Sequence, residues 1–289
     1  MQEKIRCRIS PTLGGGFDGT PSEVWGTIEY NPATDQDKPC VFFGMYGNPD
    51  FYTLWRHKGK KWILWCGTDV THFCNGYWLD YKGEIRLDPR SLAQWINKNC
   101  ESWCENEVEQ RALKAHGIDS QVCPSFLGNV KKYPITYKQS DMPKVYISVS
   151  GDNFEQYGWP LIEKIADKTP RVSYYLYGNK SEWKTKHKNV IIRGRISPEV
   201  MNEEIKLMQA GLRFTKEMDG ASEIMVKSGL WGQWPIVYRA YSYPFVSSFA
   251  HEDELIHLLT SLRYRESPNT KFRDWLLTNL NKYPFNENT

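Results

Sequence analysis

The chain has 289 residues, 40% of them hydrophobic and 25% charged, with a formal net charge of +3. It is long enough for two domains, each with its own core, and its composition is that of a soluble globular protein, which excludes a disordered or fibrous chain. The small charge neither requires nor excludes a polyanionic partner. No apolar run reaches the length of a membrane span, and no apolar region follows the charged N-terminus MQEKIRCRIS, so neither a transmembrane segment nor a signal peptide is expected. Seven cysteines, an odd number scattered along the chain, point to reduced thiols in the cytoplasm. Cys100 and Cys104 form a CxxxC with Cys66 and Cys74 upstream. Buried thiols are expected there in preference to a zinc site, because no histidine lies at ligand spacing, and no metal site is assigned.

In chain order, Lys4–Ser10 reads as a strand. It leads into the glycine-rich PTLGGGFDGT and a short helix over PSEVWGTIEY, with Pro21 in its first turn. Strand, glycine loop, helix lets backbone approach a phosphate or sugar, which makes Gly15 and Gly16 candidate ligand contacts. Pro39–Tyr46 and Lys61–Cys66 are continuous apolar runs, hence buried parallel strands, and the second runs into Gly67, Thr68 and Asp69. Ligands of open parallel sheets bind beyond the carboxyl ends of strands, so Asp69 is placed to face a site; an ordinary Gly-Asp turn is the other reading. His57, in LWRHKGKK, reads as a surface helix residue, and the basic-aromatic run Arg56–Trp62 as a solvated edge.

A helix over 91–98, a strand over 100–104, a helix over 105–116 stopped by Gly117 and a strand over 118–124 complete the first half. The polar, proline-punctuated 131–142 is the expected linker, which puts the domain border at 135/136. Strands are expected at 144–149, 171–177 and 189–193, and helices at 160–168 and 199–208, the last started by Ser197–Pro198. Then comes GLRFTKEMDGASEIMVKSGLWGQWPIV over 211–237: strand, Asp-Gly loop, helix, glycine turn, buried strand. Its helix is apolar nearly all round and so is expected to be buried on both sides. Asp219 or Ser222 supplies the capping oxygen, Gly220 gives the loop its freedom, and free amides at the helix start would seat a phosphate, which makes Gly220, Ala221 and Ser222 candidate contacts; an ordinary capped β-α-β unit is the other reading. Amphipathic helices at 252–263 and 271–280 close the chain; the alternation argues for parallel sheets with helices on both faces.

The run LRFTKEMDGASEIMVKSGLWGQWPIV, with the Tyr157–Gly158 turn, the YGN strand end and NVIIRGRISPEVMNEEI, resembles the C-terminal half of GT-B glycosyltransferases. GGGFDGT and KKWILWCGTDV resemble elements of the N-terminal half. The resemblance implies an α/β chain of two Rossmann-like domains facing across a cleft, 1–135 on the acceptor side and 136–289 on the donor side. The last helix is then free to pack back on the first domain. It implies sugar transfer from a UDP- or GDP-linked donor, with no metal and no cofactor. Retaining members carry two glutamates eight positions apart, and Asp219 and Lys227 stand at the matching places. Asp219 is the expected catalytic carboxylate; if the enzyme inverts, the base would come from Asp69, Asp18 or His57. Gly178, Arg193, Arg195, Arg213 and Lys227 join the glycines and Ser222 as donor contacts.

The acceptor is left open among a saccharide, a small molecule and, as in compact phage enzymes, a DNA base. Two other readings stand beside this one. A non-catalytic relic that only binds nucleotide or sugar is suggested by Lys227. An NAD enzyme lacks the required glycine spacing.

Overall fold

The computed structural model describes residues 3–13, 17–76, 89–149, 153–178, 183–215, 217–239 and 243–286. They form two compact units. The first comprises 1–129, 217–221 and 279–289, and the second 130–216 and 222–278. Residues 217–221, between the strand at 210–213 and the helix at 223–230, thus count with the first unit, as does the tail.

The first unit is built on strands β1 (Arg6–Ile9), β2 (Ile28–Glu29), β3 (Cys40–Phe43), β4 (Lys61–Leu64), β5 (Glu101–Cys104) and β6 (Gln121–Val122). All pair in parallel, in the order β2-β1-β3-β4-β5-β6. Helices α1 (Pro21–Trp25), α2 (Asn48–Arg56), α3 (Thr68–Cys74), α4 (Pro89–Asn99) and α5 (Glu107–Ala115) connect them. Because side chains alternate across a sheet, the continuous apolar runs divide between two cores. Cys40, Phe42, Ile63, Trp65 and Cys104 join one; Val41, Phe43, Trp62, Leu64 and Trp103 join the other. Tyr283 and Phe285 of the tail finish the second core, edge-on to Trp25. Asn281 locks them there, accepting from Trp25 Nε1 at 3.1 Å and from Phe126 N–H at 3.0 Å.

The helix expected over PSEVWGTIEY stops at Trp25, with Gly26 left-handed at φ 71°, and Ile28–Glu29 is strand instead. Two surface assignments are corrected. His57 is 2% exposed at the end of α2, its Nε2 2.8 Å from the Lys38 carbonyl and its ring against Tyr30 and Phe42. Lys61 is buried at the start of β4, its Nζ donating to the Gly59 carbonyl. All seven cysteines are free thiols.

The second unit holds β7 (Lys144–Ser148), β8 (Ser173–Tyr177), β9 (Val190–Gly194), β10 (Ala210–Arg213), β11 (Ile236–Tyr238) and β12 (Ser247–Phe249). Its order is β12-β11-β10-β7-β8-β9, again parallel. The order reverses between β7 and β10, the switch point at which doubly wound sheets take ligands. Helices α6 (Trp159–Ile165), α7 (Pro198–Ile205), α8 (Glu223–Leu230), α9 (Glu252–Ser261) and α10 (Thr270–Asn279) complete it. In α8, Ile224 through Leu230 are all buried. On one side a Cβ at Gly211 of β10 would meet Ile224 at 2.7 Å; on the other, one at Gly229 would meet Phe272 of α10 at 2.5 Å. Glycine at both places lets sheet, helix and helix pack in successive layers.

Candidate active site

Two turns chosen separately from the sequence meet in the first unit. β4 ends at Leu64, and the chain turns through Gly67, at φ 101°, into α3. A Cβ on Gly67 would lie 2.8 Å from the Gly220 nitrogen, so the 67–69 turn and the 217–221 segment touch backbone to backbone. A Cβ on Gly220 would fall 1.8 Å from Glu105 Oε2, so any larger residue there would have to displace the Glu105 carboxyl.

The 217–221 segment belongs to no helix or strand, so its backbone groups must find partners elsewhere. Met218 N–H donates to Thr71 Oγ1 at 3.3 Å, and Ala221 N–H to Glu105 Oε2 at 2.6 Å. The Asp219 carbonyl accepts from Asn106 Nδ2 at 2.9 Å. Asn106 is also the N-cap of α5, its Oδ1 accepting from Val108 and Glu109 N–H.

Beneath the segment lie three buried carboxyl groups. Asp69 is fully buried, accepting Cys66 and Val70 N–H on Oδ1 and Met45 N–H on Oδ2, at 2.8–3.0 Å. Burial pushes its carboxyl up to about 6 against the pull of those three amides. In this position it organises the turn and faces no solvent. Glu105, 3% exposed, bonds the Ser125 hydroxyl with its other oxygen. Burial drives it up to about 8, with the charges of Asp69 and Asp219 adding. Glu109 accepts Glu105 N–H at 2.7 Å, and burial, then Glu105 and Asp69, raise it well above the usual carboxylate range. The clustering is costly unless hydrogen bonds or shared protons offset it.

Asp18 lies half-buried after the glycine loop; Gly15 and Gly16 themselves fall outside the described residues. The remaining candidates lie in the second unit. Ser222 caps α8, accepting Met225 N–H at 3.4 Å. Lys227, 7% exposed, ion-pairs with Glu223 one turn back at 2.8 Å and reaches Asn202 Oδ1 at 3.4 Å. Gly178 and Arg193 stand at the carboxyl ends of the paired strands β8 and β9, Arg213 at that of β10 on the other side of β7, and Arg195 just beyond β9. A Cβ at Gly178 would strike Val149 at 2.4 Å. Arg193 is bound to Glu204, which Tyr177 OH also reaches at 2.7 Å. The Arg213 guanidinium lies 4.5 Å over the Tyr157 ring, and Arg195 is exposed.

Glu105, Asn106, Thr71 and Ser125 were not anticipated as site residues. The sequence offered one signal, Asn106 followed three places on by Glu109 at a helix start, which reads as a plain cap.

No protein-family model and no curated protein matches the sequence. Solved structures do resemble it. Alr3699/HepE from Anabaena, crystallised with UDP, superposes with a TM-score of 0.53 at 10% identity, over 86% of this chain and 79% of that one. Sucrose-phosphate synthase from Thermosynechococcus elongatus gives 0.58 at 10%, over 83% and 69%. The pneumococcal O-GlcNAc transferase GtfA, with UDP and GlcNAc, gives 0.54 at 9%, over 86% and 55%, so this chain spans about half its length. These likenesses define the fold: two parallel six-stranded α/β units, the GT-B fold of glycosyltransferases.

Proposed function

We propose that the protein transfers a sugar from a nucleoside-diphosphate sugar to an acceptor. The observation that carries this is the close approach of the Asp219 and Gly220 backbone to Gly67 at the start of α3, in a chain with the GT-B fold. Several structures of that fold were crystallised with UDP, which favours a UDP-linked donor.

In such a reaction negative charge grows on the leaving diphosphate and positive charge at the anomeric carbon. The amides at the start of α8, with Arg213 and Arg195 on the β10 and β9 ends, would meet the first without a metal ion. The Asp219 carboxylate would orient sugar hydroxyls or stabilise the second. Lys227, held by Glu223, would contribute by fixing α8 unless nucleotide draws it from that pair. An inverting route requires a base near the acceptor hydroxyl. Asp18 is the more accessible candidate; Asp69 would first have to leave three amides. The acceptor reading stays as broad as a saccharide or small molecule, with a DNA base as the narrower option.

The test is a panel of UDP- and GDP-sugars, read by thermal shift and by release of free sugar. UDP or GDP raising the melting temperature, with slow donor hydrolysis, is expected. Stabilisation by NAD alone would overturn the reading, and nucleotide binding with no sugar released to any acceptor would make the protein a binding relic. Asp219→Ala is expected to abolish transfer with the fold intact; an unchanged rate would remove Asp219 from the chemistry.

A further inference from the structure

We infer that Glu105 and Asn106 are positioning residues for this transfer, fixing the backbone of residues 219–221 and through it the Asp219 carboxylate. The inference rests on the reading just given for Asp219 but concerns residues that reading does not use.

The 217–221 segment has no ladder or helix of its own to set its course. Its path is written by side chains. Asn106 Nδ2 holds the Asp219 carbonyl, Glu105 Oε2 holds the Ala221 amide, and together they grip the two peptide groups on either side of Gly220. The grip is close, since Glu105 occupies the space where any side chain at position 220 would begin. Glu105 is itself braced by Ser125 and through its own N–H by Glu109.

A buried carboxyl beside two others is an expensive way to fill a core; an apolar residue would cost less. The arrangement makes sense if the Ala221 amide must be held by a side-chain acceptor at one place. The titratable groups near Glu105 are Glu109 from α5, Asp69 from α3, Asp219 from the segment, and the Tyr46, Cys66, Cys104 and Cys123 side chains. Near neutral pH Glu105 therefore keeps its proton, and a neutral glutamine is its functional equivalent.

The test compares wild type with Glu105→Leu, Glu105→Gln and Asn106→Asp. Asn106→Asp keeps the oxygen that caps α5 and loses the donor to Asp219. Amide exchange of a peptide covering 217–222 is measured by mass spectrometry at neutral pH, with α9 as internal control. Exchange in 217–222 is expected to speed by about tenfold or more in Glu105→Leu and Asn106→Asp, the worth of one buried hydrogen bond. Glu105→Gln should stay near wild type, and α9 should not change. Wild-type protection of 217–222 in Glu105→Leu would overturn the inference.

On the donor that wild type hydrolyses best, Glu105→Leu should lower kcat by about tenfold with KM little changed, and Glu105→Gln should restore it. A freed segment with an unchanged kcat would reduce Glu105 to a structural support. If wild type binds no nucleotide at all, the proposed function fails, while the exchange experiment still reads the grip on the segment.

Discussion

Asp69 below about pH 6, and Glu105 below about pH 8, hold protons in the folded protein that the unfolded chain gives up at lower pH. Burial raises Asp69 from 3.8 to about 6 and Glu105 from 4.5 to about 8. A raised carboxyl contributes stability that is full below its unfolded value and is lost as pH climbs through the folded one. The first unit is therefore expected to be more stable near pH 5 than near pH 9, with a falling melting temperature between. Glu105→Gln should flatten the upper part of that fall, and a profile parallel to wild type would show that Glu105 does not titrate in this window. At Gly220, one methyl group would fall on the Glu105 carboxyl. Gly220→Ala is expected to dislodge the segment and cost about tenfold or more in transfer rate while the second unit keeps its fold. Circular dichroism and a rate assay check both halves.

Among the elements, α8 is the one whose surroundings were most legible. Its apolar residues spread around most of the circumference, and the structure buries Ile224 through Leu230 between β10 and α10. Ser222 is its cap, not Asp219, whose backbone is turned toward Asn106. Ser222→Ala should cost about 1 kcal/mol of second-unit stability, read by urea unfolding. The continuous strands β3 and β4 were equally plain, because a run apolar at every position demands a core on both faces. The shorter β2 and β6 were not set apart from their flanks, since two residues carry no periodicity. His57 and Lys61 were misplaced for another reason. Each looks polar in sequence, and each is buried because a backbone carbonyl happens to meet its nitrogen.

At the largest scale the described residues build two parallel α/β sheets with different strand orders, and alternation of strand and helix made that architecture readable. The candidate site was readable only in part. Gly67, Asp69, Asp219 and Gly220 were singled out because glycine and a short acid at the end of a strand suit either a tight turn or a ligand contact. Glu105 and Asn106 did not, because their task depends on a partner 113 residues away at the Asn106–Asp219 bond, and local pattern says nothing across that distance. The tail shows the same limit. Tyr283 and Phe285 close a core of the first unit through Asn281, 256 residues from Trp25. Trp25→Ala is expected to cost about 3–5 kcal/mol and to release the tail to proteolysis.

The most direct measurement of the central claim is calorimetric titration of the intact protein with UDP, GDP and NAD, followed by donor hydrolysis with wild type and Asp219→Ala. The account predicts saturable binding of a nucleoside diphosphate and sugar release that disappears in Asp219→Ala. Binding of NAD alone, or sugar release at an equal rate in both proteins, would contradict it.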